Sequence, residues 1–343
     1  MVTRRSVPRW LKILGVSVAI LLVSMLALLI SLGWYVKRQM LESGGALPAS
    51  MAAYDVRHYD LDVRIDPSDE RIAGTSTVAV EVLKPIDIFE INLDNRLGVV
   101  SVKSAGVSCA FRHTDGVIAV ELRERWLEGE RHEVTIIYGG KPKVALRPPW
   151  INGFVWSETP SGAPWIGVTG QGDGGDNWWP CKDHPSDEPD EGVNISLTVP
   201  TGLVGLSNGR LIDEVDNGDG TVTTNWQVNY PINNYLVTVN IAPYVPIEIR
   251  YQGVDGTLDE ELVFWSVPEY EPHARATWQQ MPRILEVLGR RFGEYPFFED
   301  KFAVAHAPYY GMEHQTLIAY GALFTDNGFG FDDLLLHEVA HEW

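Results

Sequence analysis

Two histidines and a glutamate near the end of the sequence have the types and spacing of a zinc site. They form the run His337-Glu338-Val339-Ala340-His341. On a helix, residues four positions apart share one face and lie about 5–6 Å apart, so His337 and His341 can bind one zinc ion. Glu338 then lies beside the water that such a zinc activates and can act as the general base. The alternative interpretation is a buried helix with two incidental histidines.

The residues before this run favour a helix that positions it. Asp332 or Asp333 can cap the start of the helix, because a side-chain oxygen at that place accepts a hydrogen bond from a free backbone N–H. Leu334, Leu335 and Leu336 then lead into the motif. The sequence therefore predicts one helix that carries all three candidate side chains.

A second motif, Gly311-Met312-Glu313-His314, precedes this helix. The two motifs together resemble the aminopeptidase N family of zinc metallopeptidases, which also includes leukotriene hydrolase. Members of that family carry G-x-M-E-N about two dozen residues before H-E-x-x-H. Here Glu313 precedes His337 by 24 residues, so the spacing agrees with the resemblance.

Other parts of the chain show the same resemblance, which covers residues 54–343. Residues 292–297 are similar to the family's F-G-x-Y-P segment, and residues 177–183 are similar to its W-F-P-C-x-D segment. The sequence departs from the family at His314, where the family has asparagine, and at Tyr310, where the family has the first glycine of its motif.

The resemblance implies which residues bind the substrate. In the family a carboxylate recognises the free α-ammonium group, which implies this role for Glu313; a strand-edge glutamate is the alternative. The backbone at Gly311, next to Met312, would line the substrate site. Gln171 matches the residue with which the first domain of the family reaches into the active site, unless it is a loop glutamine that only binds backbone. The implied cofactor is one zinc ion.

The end of the sequence leaves this site incomplete. The third zinc ligand of the family, a glutamate on the next helix, and its catalytic tyrosine would lie beyond Trp343. Catalytic zinc normally has three protein ligands plus water. We therefore expect the chain to be a fragment that binds zinc weakly and has little or no peptidase activity.

Three functions are compatible with these residues. The first is a zinc aminopeptidase, which removes N-terminal residues from peptides or proteins with a free N-terminus. The second is a zinc endopeptidase or an epoxide-opening hydrolase on the same scaffold. The third is a non-catalytic pseudoenzyme or protein-interaction module. The charge argues against nucleic acid as a partner: the net charge is −19, residues 1–40 carry six basic and no acidic residues, and the remainder is therefore −25, which repels phosphates.

Residues 13–36 form an uncharged, mostly apolar stretch that predicts a single transmembrane helix. At 1.5 Å per residue these 24 residues span about 36 Å, more than the roughly 30 Å hydrocarbon core of a bilayer. Four basic residues precede the stretch and two follow it, so the N-terminus is expected in the cytoplasm and the catalytic part outside. A cleaved signal peptide is the alternative, because residues 46–53 are rich in small residues.

The two cysteines do not decide the compartment. Cys109 and Cys181 are expected to be unpaired and mostly buried thiols, which is how free cysteine usually behaves. One disulfide in an oxidising compartment is the alternative.

Turn and strand patterns divide the chain into segments. The expected order is a cytoplasmic tail (1–12), a transmembrane helix (13–36), a linker (37–53), a β-rich aminopeptidase-like domain (54–246) and a truncated zinc-peptidase catalytic domain (247–343). Alternating apolar residues, as in Thr221–Val228 and Tyr235–Ile241, predict an all-β saddle or sandwich for the fourth segment. Residues 272–291 predict a helix that Pro282 kinks or interrupts. The resemblance implies the start of an α+β thermolysin-like fold for the last segment.

Overall fold

The structure is a computed structural model, and it describes residues 9–39, 43, 45–321, 324 and 328–343. Most of the predicted cytoplasmic tail and part of the predicted linker lie outside the described residues. The chain divides into two compact units, Met1–Leu41 and Glu42–Trp343.

The first unit contains one long helix, α1 (Arg9–Gln39). Its apolar part, Leu14–Tyr35, comprises 22 residues with a mean hydropathy of 2.6 and has exposed side chains. The predicted helix is therefore present and long enough to cross a bilayer. A signal sequence near an N-terminus has the same length and composition, so the membrane span and its topology stay predictions.

The second unit begins with a β-rich region and ends with a region that combines a sheet with helices. In chain order, the strands of the described residues are β1 (Tyr54–Asp66), β2 (Arg71–Val82), β3 (Ile86–Asn92), β4 (Leu97–Ser104), β5 (Val107–Ser108), β6 (Phe111–Thr114), β7 (Val117–Trp126), β8 (Arg131–Gly140), β9 (Gly153–Glu158), β10 (Pro164–Thr169), β11 (Val193–Pro200), β12 (Val204–Ser207), β13 (Arg210–Asp216), β14 (Thr221–Val228), β15 (Val239–Ala242), β16 (Val245–Tyr251), β17 (Glu260–Ser266), β18 (Phe302–His306), β19 (Gly311–Met312) and β20 (Leu317–Tyr320).

These strands form four sheets, of which three belong to the β-rich region. The largest has the order β13-β14-β11-β1-β2-β8-β4-β5, and smaller sheets have the orders β12-β15-β10-β9 and β3-β7-β6. All neighbours in them are antiparallel except β1 and β11. In β1, Leu61, Val63 and Ile65 are buried while Asp60 and Asp62 are exposed, which is the period-2 pattern of a strand with one face on the core. The predicted mostly β region is confirmed.

The last part of the second unit combines a five-stranded sheet, in the order β16-β17-β18-β20-β19, with helices α2 (Glu271–Trp278), α3 (Met281–Phe292) and α4 (Asp333–Ala340). The predicted helix is interrupted between α2 and α3, close to Pro282. This is the second of the two predicted alternatives. Pro282 lies in the first turn of α3, where the missing N–H of proline costs no hydrogen bond. That this part begins a thermolysin-like domain stays a prediction.

The structure corrects the strand predicted at Tyr235–Ile241 and decides between the two alternatives for the cysteines. The predicted strand Tyr235–Ile241 begins only at Val239, because residues 234–236 form a 3-10 turn. Asn234 fixes that turn: its side chain accepts from the N–H of Gly175 at 2.9 Å and donates to the carbonyl of Lys182 at 3.2 Å. Both cysteines are free thiols, with Cys181 buried and Cys109 half-buried.

Candidate active site

The predicted helix around the H-E-x-x-H run is α4. Asp332 caps its start, since its backbone is extended (φ −80°, ψ 109°) and its side chain accepts a hydrogen bond from the N–H of Leu335 at 2.9 Å. Such a cap satisfies one of the N–H groups that the first turn of a helix leaves free. Leu335 and Val339 are fully buried, so this apolar face anchors the helix while His337 and His341 are exposed.

His337 in α4 and His341 at the end of that helix are placed as one metal ion requires. Nε2 of His337 lies 3.3 Å from Nε2 of His341, and the two rings are nearly perpendicular, at 85°. Zinc–nitrogen bonds of about 2.0–2.1 Å at a tetrahedral angle put two ligand nitrogens about 3.4 Å apart. The donor pair therefore fits zinc. A carboxylate oxygen of Glu338 lies within 4.8 Å of one ring nitrogen of each histidine.

Glu338 is buried beside this pair and packs against β19. Its Oε1 occupies the space that a Cβ on Gly311 would need, so a side chain at that position would displace the carboxylate. Burial raises the pKa of Glu338 to about 8, and the negative charge of Glu313 adds to the shift. A carboxyl group with a pKa near neutral is suited to accept and release a proton. The close approach of helix and strand is therefore part of the site.

Glu313 is held by two side chains from the β-rich region. Its Oε1 accepts a hydrogen bond from Nε2 of Gln171 at 3.0 Å and another from the hydroxyl of Tyr235 at 3.2 Å. These partners precede Glu313 by 142 and 78 positions. Burial and the charge of Glu313 both raise the pKa of Tyr235, so this phenol stays a donor. The carboxylate is thereby oriented for a cationic group.

A single cavity of about 440 Å³ brings the predicted residues together. All seven candidate site residues line it: Gln171, Gly311, Met312, Glu313, His337, Glu338 and His341. Trp150, Tyr310 and Asp333 line it as well, and sequence reasoning gave them no role there. A larger cleft, of about 700 Å³, lies on the eight-stranded sheet and contains none of the candidate residues.

Sequence reasoning also missed Tyr235 as a partner of Glu313. The segment that contains it was visible only as part of a predicted strand, in which side chains alternate between two faces. The 3-10 turn at 234–236 instead lets the hydroxyl reach Glu313. The roles predicted for the seven site residues remain predictions, although the structure places them around one cavity.

Glu342 links the end of α4 to the turn that follows Glu313. Its buried carboxylate accepts hydrogen bonds from the hydroxyl of Tyr295 at 2.8 Å and from the N–H of Thr316 at 3.1 Å. Thr316 has a φ of +65°, a left-handed conformation that a β-branched residue adopts only under strong constraint. Burial raises the pKa of Glu342 to about 8. One sequence signal was available, because an acidic residue is unfavourable at the C-terminal end of a helix.

His314, which stands where the family has asparagine, does not belong to the lining of the cavity. It is completely buried, and neither ring nitrogen has a hydrogen-bond partner among the residues that the structure describes. Burial lowers the pKa of His314 to about 3, so the ring is neutral near pH 7. It is a packing residue beside Glu313.

Comparison with protein families gives a match to the Peptidase M1 N-terminal domain over residues 56–236. Leucine aminopeptidase 2 from Vanderwaltozyma polyspora is 28% identical over 203 residues, which are 57% of this chain and 28% of that protein. Aminopeptidase B from Mus musculus is 21% identical over 329 residues, which are 87% of this chain and 47% of that protein. The chain thus spans less than half the length of both relatives.

Solved structures agree on the fold. The crystal structure of an M1 zinc metallopeptidase from Deinococcus radiodurans has a TM-score of 0.69 and 23% identity, covering 85% of this chain and 64% of that one. A two-domain M1 zinc metallopeptidase mutant bound to L-tryptophan has a TM-score of 0.69 and 22% identity, covering 89% and 67%. At this identity the likeness concerns the fold.

Proposed function

The chain belongs to the M1, or aminopeptidase N, family of zinc metallopeptidases, and on this premise we propose that it acts as a zinc-dependent aminopeptidase. The observation that carries the proposal is one cavity in which two imidazole nitrogens 3.3 Å apart, the buried Glu338 and the oriented Glu313 converge. A metal-binding pair with a proton-transferring carboxylate suits hydrolysis. A second carboxylate suits recognition of a free amine.

We assign the zinc ion to His337 and His341. When bound, zinc supplies a positive charge that polarises the scissile carbonyl and acidifies water. These histidines are two of the three protein ligands that a catalytic zinc normally has.

The other residues of the cavity have two roles, proton transfer and recognition of the substrate amine. Glu338 takes a proton from the attacking water and passes it to the leaving amine. Glu313 binds the α-ammonium of the substrate, and the donors on Gln171 and Tyr235 hold its carboxylate in one orientation. An ammonium bound there keeps the first peptide bond, rather than an internal one, beside Glu338. This arrangement favours removal of single N-terminal residues.

We further propose that α1 anchors the protein in a membrane, with the N-terminus in the cytoplasm and the catalytic region on the other side. The support is the 22-residue apolar stretch, whose mean hydropathy is 2.6, and the basic residues before it. Lysine and arginine are retained on the cytoplasmic side of such helices. Substrates would then be extracytoplasmic peptides or proteins with a free N-terminus.

The test is hydrolysis of the coumarin amide of L-leucine by the full chain in detergent, with zinc added. We expect cleavage of this substrate, no cleavage of its N-acetyl derivative, and a loss of about 10²- to 10⁴-fold in kcat for Glu338→Gln, the usual size of an acid–base contribution. Glu248→Gln, an exposed glutamate on β16, is the matched control and should leave kcat unchanged.

Each other outcome selects a different function. Equal cleavage of the N-acetyl substrate would indicate an endopeptidase, because recognition of a free amine would be absent. Equal rates for the wild type and Glu338→Gln, at the level of buffer alone, would favour the non-catalytic interaction module.

A further inference from the structure

Two exposed aromatic side chains line the same cavity as Glu313 and have no part in the chemistry described above. Trp150 is 57% exposed and Tyr310 is 51% exposed, and both belong to the cavity lining. Aromatic side chains carry a large apolar surface that is normally buried. A contiguous pair left open at the edge of a cavity indicates a binding surface. We call this pair the aromatic wall.

The two rings form a nearly continuous surface rather than a closed stack. Their planes differ by only 19°, and their centroids are 6.3 Å apart, near the far end of the range for interacting aromatic pairs. The rings therefore overlap only in part, and each leaves some of its face free. Such a surface accepts a further flat or apolar group by stacking or by edge contact.

Trp150 is presented by a tight turn of the β-rich region. The N–H of Ile151 donates to the carbonyl of Arg147 at 2.8 Å, and these two residues also form an isolated antiparallel bridge. The turn thereby places the indole at the cavity. Tyr310 comes from a different segment, directly before β19. Two distant parts of the chain thus contribute to one wall.

Arg147 decides which kind of side chain the wall accepts. Its guanidinium carbon lies 4.9 Å from the centroid of the Trp150 ring. A positive charge therefore already lies over a face of the indole to which a cation would bind. A lysine or arginine side chain of a substrate would compete with that guanidinium for the indole. An uncharged aromatic or large apolar side chain would not.

We propose that the aromatic wall makes this site selective for substrates whose N-terminal residue is aromatic or otherwise large and apolar. The inference rests on the proposed aminopeptidase function, since it takes Glu313 as the place of the α-ammonium. A first residue anchored at Glu313 extends its side chain within the same cavity of about 440 Å³. Trp150 and Tyr310 are then specificity-determining residues.

The test measures binding, so it does not depend on turnover. Isothermal titration of the full chain with zinc uses L-phenylalaninamide, L-alaninamide and L-lysinamide as probes. We expect phenylalaninamide to bind about tenfold tighter than alaninamide, within the range that hydrophobic pockets achieve, and lysinamide no tighter than alaninamide. In Trp150→Ala and in Tyr310→Ala the tenfold preference should fall to about threefold or less, with the affinity for alaninamide unchanged.

Phe292→Ala is the matched control, because Phe292 is 68% exposed and does not line the cavity; its preference should equal that of the wild type. Thermal unfolding followed by circular dichroism checks that the variants fold. Equal affinities of the wild type for all three amides, no binding of any of them, tighter binding of lysinamide, or an unchanged preference in both wall variants would each overturn the proposal.

The titration also separates this proposal from the proposed function. N-acetyl-L-phenylalaninamide lacks the ammonium but keeps the ring. If it binds as well as phenylalaninamide and the binding still depends on Trp150, the proposed recognition of the free amine is contradicted and the proposed role of the aromatic wall is supported. If it does not bind and the wall variants change nothing, recognition of the amine is supported and the role of the wall is contradicted.

Discussion

Two sides of the cavity are built from the chain in different ways. The zinc side consists of His337 and Glu338 of the eight-residue helix α4 and of His341, which caps the end of that helix with a helical backbone (φ −67°, ψ −18°). The amine side consists of three residues from separate segments: Gln171, Tyr235 and Glu313. Helical periodicity alone aligns the zinc side, since residues four apart share a face. Only the packing of the β-rich region against β19 brings the amine side together.

The difference predicts how each side responds to perturbation. A change on the zinc side removes a ligand or a proton acceptor without altering the neighbouring segments. A change on the amine side alters a network that spans 142 positions of sequence, so its effect depends on how many partners remain. The three predictions below test this contrast, in order of decreasing effect.

The largest effect on the amine side is expected for Glu313→Gln. The amide keeps the shape and can still accept from Gln171 and Tyr235, but it removes the charge that pairs with the α-ammonium. Hydrogen bonds to charged groups contribute about 1.5–3 kcal/mol, so kcat/KM for a free-amine substrate should fall by roughly 10- to 100-fold. The measurement is kcat/KM for L-leucine coumarin amide in the wild type and in the variant. Equal values would show that the charge of Glu313 does not contribute to recognition of the free amine.

Acid should lower the unfolding free energy of the protein through His314, the residue that follows Glu313 of the amine side. Burial lowers the pKa of His314 to about 3, whereas histidine in an unfolded chain has a pKa of about 6.5. Between these values the unfolded chain binds more protons than the folded one, so stability falls as the pH drops from about 6.5 towards 3. Burial also lowers the pKa of His306, to about 4, and that contribution is common to the wild type and the variant.

The comparison of wild type with His314→Asn isolates this contribution, because asparagine does not titrate. From pH 7 to pH 5 the wild type should lose on the order of 1–2 kcal/mol more unfolding free energy than the variant. Denaturant unfolding at both pH values measures the difference. Equal losses would mean that His314 becomes protonated in the folded protein without cost.

The smallest effect is expected for Tyr235→Phe, which removes one of the two hydrogen bonds to Glu313 and leaves the other, from Gln171. A single hydrogen bond contributes about 1 kcal/mol, so KM for a free-amine substrate should rise by less than about tenfold, with kcat nearly unchanged. Tyr230→Phe, another tyrosine of the β-rich region that does not line the cavity, is the control. A large loss in kcat instead would place Tyr235 in the chemical step.

Local elements were largely predictable from the sequence. The helix around the H-E-x-x-H run follows from the cap at Asp332 and the apolar face that includes Leu335 and Val339. Period-2 patterning predicted strands such as Thr221–Val228, which the structure has with the same bounds. Tyr235–Ile241 was wrong in its first part because hydrogen bonds from Asn234 to distant backbone favoured a 3-10 turn over a strand.

Long-range contacts were not predictable in this way. An acidic residue at the end of α4 is a local signal, but no local pattern indicates that the partners of Glu342 are Tyr295 and Thr316, or that Oε1 of Glu338 takes the space beside Gly311. The aromatic wall is of the same kind, because Trp150 and Tyr310 are 160 positions apart in the sequence. Such contacts depend on how sheets and helices pack rather than on the residues next to each other.

The position of the predicted zinc ligands followed from the sequence alone, because the fixed rise and rotation of an α-helix place His337 and His341 on one face wherever that helix lies. The sequence also determined the apolar length of α1. The hydrogen bonds from Gln171 and Tyr235 to Glu313, and the two aromatic rings in the lining of the same cavity, became visible only in the folded chain. The physical reason is that segments far apart in the chain are brought together only by burial of their shared apolar surface, and that burial is a property of the whole fold.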